Sequence, residues 1–288
     1  GIRDVERSRG LGDVYKRQII IIPIRTRLIK PGDDIVDVIF ESLEEQRIDI
    51  EEGDVFVISE KAISTSIGRL VKLEDVNPSP KAMELAKEFG MDPRFIELVV
   101  QEADEIWGAI AKYNFVLTIK DGISIANAGI DKSNAPPGYV VLMPKEPMKT
   151  AFEIKKKIEA RVNKRVAVII SDSRTQPLRR GNVGIAYGIA GMEPIEDLRG
   201  KPDLFGKVLR STWRGIADEI TNAAQLVMGE SDERIPVVIV RGARYTPRDT
   251  PLENGPMIMP PERCIYMNIL KPQIKRIILR KKQQHRQD

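Results

Sequence analysis

Histidine and cysteine are almost missing from this chain: His285 and Cys264 stand alone among 288 residues. A lone cysteine excludes an internal disulfide and a thiolate-rich zinc cage. A lone histidine in a basic, polar end segment disfavours Ser-His-Asp triads, histidine acid–base chemistry and histidine metal sites. A bound metal would therefore be held by oxygen, which favours magnesium or manganese. Aromatic residues are scarce at 5%, and this weighs against a base-stacking platform for nucleic acid. No run approaches the roughly 20 apolar residues of a membrane span. No apolar segment leads to a small-residue cleavage site, so the expected location is the cytoplasm and no membrane partner is expected. Neither a G-x-x-x-x-G-K-[ST] loop nor a protein-kinase signature set occurs. A nucleotide would have to be held without a standard phosphate loop.

Hydrophobic residues make up 42% of the chain, enough for one large domain or two modest ones with a sizeable core. The formal charge is +4. Part of the excess comes from Lys271, Lys275, Arg276, Arg280, Lys281, Lys282 and Arg286 near the C-terminal end. Such a run is usually a solvated face. The competing reading, a basic nucleic-acid-binding module, would show a steep salt dependence. At the other end, SRGLGDVYKRQ (8–18) looks like a translated transposase adapter from sequencing-library preparation. Residues 1–18 are therefore set aside as an artefact. One domain is expected over 19–248, followed by a proline-rich and then basic tail over 249–288.

Helix and strand signals alternate along the rest. Residues 19–24 and 55–58 read as strands. Gly32-Asp33-Asp34 opens a helix carrying Ile35, Val38, Ile39 and Leu43 at helical spacing. Residues 59–66 read as a polar loop. Ser79-Pro80 and Asp92-Pro93 are paired helix starts. The stripe of the second helix is expected to run through Ile96, Val99, Val100 and Ala103 to Trp107. Asp121-Gly122 marks a hairpin between 115–119 and 123–126. A strand at 139–143 and a lysine-rich helix at 150–162 follow. Residues 166–170 have the continuous apolar character of a strand covered on both faces. Glycine-rich 181–191 suggests close main-chain packing. Trp213, Ile216, Ala217, Ile220, Ala223, Ala224 and Val227 form a helical face ended by Gly229, and 235–240 is a strand. The class is α+β, with mixed sheets and packed helices.

Three polar clusters follow apolar segments. Ser171-Asp172-Ser173 closes the most apolar strand, where α/β sheets bind ligands. Asp172 is suited to a hard cation, with a hydroxyl beside it, or to capping a turn. Asn127-Ala128-Gly129-Ile130-Asp131-Lys132-Ser133-Asn134 offers a carboxylate and two amides, or an ordinary Asx-type turn. Met228-Gly229-Glu230-Ser231-Asp232-Glu233 places acidic residues after a helix, where the helix dipole disfavours them unless a cation is near. The commoner alternative is a solvated acidic loop. Arg179-Arg180 is a candidate phosphate or carboxylate grip, or a surface charge pair.

Taken together, these clusters resemble the coenzyme F420-0:L-glutamate ligase family. The resemblance is carried also by Ser59-Glu60-Lys61-Ala62 with Gly68-Arg69 and by Arg179-Arg180-Gly181-Asn182-Val183-Gly184. Asp197-Leu198-Arg199-Gly200-Lys201, Asp203-Leu204-Phe205-Gly206 and Ala217-Asp218-Glu219 complete the set. It runs from about Ile24 to Arg241. It implies a family-specific ligase fold, an intertwined homodimer, and GTP-dependent addition of L-glutamate to coenzyme F420-0 through an acyl phosphate. A second, γ-linked glutamate can follow. The resemblance also implies two Mg2+ or Mn2+ ions per site, with K+ as an optional further ion. Asp131, Asp172, Ser173 and Glu230 match the metal-holding positions. Thr26, Arg27, Leu28, Ile29, Glu60, Lys61, Thr65, Asn134, Met228, Gly229, Ser231, Asp232, Glu233, Arg234 and Ile235 match nucleotide-contacting ones. Asp131, Asp172, Arg179 and Arg180 are the catalytic candidates. An amide ligase acting on another acid is the nearest alternative.

Overall fold

The computed structural model describes residues 18–253, 255–270 and 277–278. The adapter-like stretch up to residue 17 and the basic residues within 271–276 and 279–288 lie outside the described residues. The chain forms two compact units. The first takes residues up to Ile67 and Pro144–Asn254; the second takes Gly68–Met143 and the residues from Gly255 on. Both mix helix and strand, as the α+β expectation requires.

The first unit contributes β1 (Ile20–Ile24), α1 (Ile35–Gln46), β2 (Val55–Ser59) and α2 (Glu60–Ser66) before the chain enters the second. There it forms β3 (Leu70–Lys72), α3 (Pro80–Phe89), α4 (Pro93–Glu102), β4 (Glu105–Ile110), β5 (Phe115–Lys120), β6 (Ile123–Ala126) and β7 (Tyr139–Val141). Back in the first unit come α5 (Pro147–Val162), β8 (Ala167–Thr175), β9 (Asn182–Ala190), β10 (Ile195–Asp197), β11 (Trp213–Gly215), α6 (Ile216–Met228) and β12 (Val237–Arg241). The second unit ends with α7 (Ile265–Leu270) and β13 (Ile277–Ile278).

The first unit is built on a five-stranded sheet in the order β1-β12-β2-β8-β9. Only β2 and β8 run parallel; the other neighbours are antiparallel. Alternate residues Ile24, Phe56, Ile58, Val168, Ile170, Val237 and Ile239 share one apolar cluster with Val36, Ile39 and Leu43 of α1 and with Ile154 and Ile158 of α5. The intervening Val55, Val57, Ala167, Ile169, Val238 and Val240 are just as buried. On this evidence the sheet is covered on both faces, and α6 packs on β1, β8, β9 and β12. Two-sided burial is why these strands read as continuous apolar runs. Each fully buried Ile or Val contributes roughly 1.5–3 kcal/mol. Asp34 caps α1 by accepting from Val36 N at 2.8 Å.

Helix α6 also serves the outer edge of β9. Asn222 Oδ1 accepts from Gly184 N at 3.0 Å, Asn222 Nδ2 donates to Gly184 O at 2.9 Å, and Asp218 Oδ1 accepts from Ala186 N at 2.8 Å. Side chains thus satisfy an edge strand's outward groups. The approach needs glycine at 184: a Cβ there would sit 2.8 Å from Thr221 Cγ2.

The second unit has an antiparallel β4-β5-β6 sheet extended by β13, and a β3–β7 pair. Its core joins Leu85, Phe95, Ile96 and Val99 of α3 and α4 to Ile106, Val116, Ile130 and Val140. The Asp121-Gly122 hairpin forms as expected, with φ of 51° and 78° at the two turn residues.

Several local expectations are corrected. Residues 59–66 contain a helix, α2, because Ala62 and Ile63 are drawn into the sheet's core cluster. Trp107 and Trp213 lie in β4 and β11, outside the helical faces read for them. Helix α4 ends at Glu102, and β8 continues to Thr175, five residues past the apolar run.

Candidate active site

One end of the five-stranded sheet gathers most of the expected site residues. The parallel register sets Ser59 of β2 opposite Ser171 of β8. Just beyond, β2 passes into α2 at Glu60, and β8 runs on through Asp172 and Ser173. Val237, the first residue of β12, pairs with Ile58 and with Ile24. The segments 25–34 and 229–236 therefore emerge at this same end. Thr26 N donates to Arg234 O at 3.2 Å, and Ser59 N to Pro236 O at 2.8 Å, which ties the three connections together.

Thr26 is buried, and its hydroxyl donates to Arg27 O at 2.9 Å. Arg27 grips Asp33 with two bonds, of 2.7 and 3.2 Å, and reaches Glu41 at 3.1 Å. The Arg27 bonds, aided by Lys30 N–H, hold the Asp33 carboxyl below the usual carboxylate range. Leu28 is exposed, while Ile29 packs on the core. Glu60 is buried at the start of α2 and accepts from Ser64 Oγ at 2.7 Å. Lys61 and Thr65, half-buried, are one helical turn apart.

A β-bulge precedes Asp172. The β8–β9 ladder pairs Ile170 with Gly188 but Ser171 with Ala186, leaving Tyr187 as the extra residue. Bulges bend a strand and re-aim its side chains beside functional sites. Ser171 Oγ donates to Ile58 O at 3.3 Å. Asp172 Oδ1 accepts from Ser173 N at 2.7 Å, and Ser173 Oγ lies 3.4 Å from Glu230 Oε2. Glu230 Oε1 also accepts from Gln225 Nε2 at 3.4 Å. Met228 is buried at the end of α6, whereas Ser231, Asp232, Glu233 and Arg234 are exposed and Ile235 is half-buried. Gly229 has φ of +70°, and a Cβ there would collide with the Glu233 carboxylate, so the turn out of α6 requires glycine. Glu233 Oε2 accepts from Ser231 N at 2.8 Å.

Asp131 and Asn134 lie in the second unit. Asp131 pairs with Val141 through backbone bonds of 3.1 and 2.9 Å, and its carboxylate accepts from Ser133 N at 2.7 Å and Ser133 Oγ at 2.8 Å. Asn134 is exposed, with φ of 55°. Lys132 sits over the Phe95 ring, 4.7 Å from its centre. Arg179 and Arg180 are exposed in the turn of the β8–β9 hairpin.

Among the described residues, no three histidine, cysteine, aspartate or glutamate side chains form a ready metal cage. The donors that the first unit itself brings together are the Ser173 hydroxyl and Glu230 carboxylate, with Asp172 beside Ser173 in the strand. Hard oxygens of this kind fit Mg2+ or Mn2+. From sequence alone, Arg174 went unnoticed: two residues past Asp172 in β8, its Nε is covered and has no acceptor among the described residues.

Residues 23–242 match the model of the family described as F420-0:Gamma-glutamyl ligase. The chain is 41% identical over 259 residues to a coenzyme F420:L-glutamate ligase of Methanocaldococcus jannaschii, covering 88% of this chain and 98% of that protein. It is 39% identical over 235 residues to the protein of that name in Methanopyrus kandleri, covering 81% and 90%. A third, from Methanothermobacter thermautotrophicus, is 39% identical over 216 residues, covering 75% and 85%. With a family match over residues 23–242 and near-complete coverage of such relatives, the chain belongs to the F420-0:gamma-glutamyl ligase family.

Proposed function

We propose that this protein is a GTP-dependent ligase that joins L-glutamate to coenzyme F420-0. The observation that carries the reading is the family match over residues 23–242. Oxygen ligands gathered at the sheet end support it. In the first step a carboxylate oxygen of the precursor attacks the γ-phosphorus of GTP, and GDP leaves with the electron pair of the broken P–O bond. The amine of L-glutamate, having lost a proton to solvent, then attacks the acyl carbon; inorganic phosphate departs and the amide remains. A second glutamate can be added by its γ-linkage in the same two steps.

Phosphoryl transfer demands positioning and charge neutralisation above all. By the family resemblance, Asp131, Asp172, Ser173 and Glu230 are the residues that would hold two Mg2+ or Mn2+ ions. When bound, these ions neutralise phosphate oxygens without histidine or cysteine. Thr26, Arg27, Leu28, Ile29, Glu60, Lys61, Thr65, Asn134 and the 228–235 segment would receive the nucleotide, with K+ as an optional further ion. We also infer a homodimer. It is supported by a hydrogen-bonded hairpin, in which Gly200 N meets Leu209 O at 2.9 Å and Asp203 N meets Lys207 O at 2.8 Å. Its tip holds Leu204 and Phe205 outward, 99% and 95% exposed. No described helix is long and apolar enough to cross a membrane; the proposed place of work is the cytoplasm.

The test is direct. Purified protein with GTP, Mn2+ or Mg2+, L-glutamate and coenzyme F420-0 should release GDP and yield the glutamyl-extended product by mass spectrometry. Extension equally fast with ATP would reject the nucleotide assignment, and an unextended precursor would reject the ligase reading.

A further inference from the structure

Resting on that ligase reading, we propose that Arg174 is an anion-binding residue of the same site, taking a phosphate or carboxylate oxygen of the bound substrates. Arg174 lies in β8, two residues past Asp172 and paired with Val183 in a regular stretch of the ladder. Alternate residues of a strand share a face, so its side chain leaves β8 on the side of Asp172 and opposite to Ser173, whose hydroxyl meets Glu230. The Nε–H is fully covered, and among the described residues it has no acceptor. A buried donor without an acceptor destabilises the fold. That cost is tolerated where a bound group supplies the acceptor, and a planar guanidinium suits paired oxygens.

The half-buried carboxylate of Asp218 feels the charge of Arg174, and its Oδ1 is already engaged by Ala186 N at 2.8 Å. Asp218 therefore offsets part of the Arg174 charge without supplying an acceptor to its Nε–H. Arg174 sits within the β8–β9 ladder, whereas Arg179 and Arg180 stand exposed in the hairpin turn. Arg174 thus replaces that pair as the arginine best placed to meet an anion.

The experiment uses the full chain labelled with 15N in arginine, its Arg174 Nε–H resonance assigned through the side-chain carbons. GTP with Mg2+, L-glutamate and coenzyme F420-0 are added separately and then together. Movement of that resonance with GTP identifies phosphate as the acceptor; movement with glutamate or F420-0 identifies a carboxylate. No movement with any of them overturns the proposal and assigns the donor to water. In parallel, Arg174→Lys and Arg174→Gln should lower kcat/KM by about 100-fold, with KM rising for the same ligand that moves the resonance. Wild-type kinetics in both variants would also overturn it. A wild-type chain that leaves F420-0 unextended defeats the ligase reading alone, because the titration needs no turnover.

Discussion

At one end of the five-stranded sheet Arg241, the last residue of β12, meets Asp54 through bonds of 2.9 and 2.8 Å, Glu51 at 2.5 Å and Asp49 O at 2.7 Å. Asp54 is fully buried and also accepts from Glu51 N at 2.8 Å. Tyr245 donates to Gly53 O at 3.1 Å, and its hydroxyl is pushed up to about 12, first by burial and then by Asp54 and Glu52. At the other end the Ser173–Glu230 and Gln225–Glu230 contacts are both 3.4 Å, near the outer limit for a hydrogen bond, and Arg174 Nε has no described acceptor. The same residue types close one end around a fully buried carboxylate; at the other the Arg27–Asp33 pair is well made, while the contacts of Glu230 are long and Arg174 Nε lacks a described acceptor. Rule-breaking local chemistry of this kind marks functional ends, while well-made networks mark structural ones.

The largest effect that would break this contrast is on turnover. Asp172→Asn should lower glutamate addition by at least on the order of 10²–10³-fold while leaving the melting temperature nearly unchanged; loss of the fold, or full activity, would show that both ends are structural or that Asp172 is not used. Next comes Arg241→Met at the closed end. It leaves the Asp54 carboxylate buried without its partner, a cost of about 3–5 kcal/mol. Thermal unfolding should then fall by roughly 6–20 °C, with activity per folded molecule retained. A melting point equal to wild type would mean that Asp54 is not held by Arg241 in solution.

The sequence already revealed much of the first unit, because two-sided burial writes itself as unbroken apolar strands at 19–24, 55–58 and 166–170. Helix starts at Ser79-Pro80 and Asp92-Pro93 were equally readable, since capping is local chemistry. Helix α2 was not. Glu60-Lys61-Ala62-Ile63-Ser64-Thr65-Ser66 has three hydroxyl residues and two apolar ones, and its helix depends on the tertiary burial of Ala62 and Ile63. Trp107 and Trp213 fell at helical spacing from true helical residues, but their backbone belongs to strands. In the site, Asp172 announced itself by ending an apolar strand. The closeness of Ser173 to Glu230 depends on how α6 returns to the sheet, which no local pattern encodes. Arg174 was hidden because an isolated arginine in a strand looks like any surface charge; the available signal was its two-residue spacing from Asp172.

The smallest predicted effect concerns Asp218, where the site and the edge of β9 meet. Burial raises this carboxyl above its ordinary value, against the pull of Ala186 N–H and the charge of Arg174. A carboxyl raised in the folded state binds its proton more tightly there than in the unfolded chain. Its contribution to stability is therefore fully present below the unfolded value of 3.8 and is lost as pH rises through the higher folded value. Asn at this position does not titrate, and its Oδ1 can still accept from Ala186 N. Relative to wild type, Asp218→Asn should thus melt higher at pH 7 than at pH 4, by a few degrees, whatever fixed offset the amide introduces beside Arg174. Melting curves across pH 4–8 measure the difference between the two proteins. A difference that stays constant over that range would mean that Asp218 titrates alike in the folded and unfolded states.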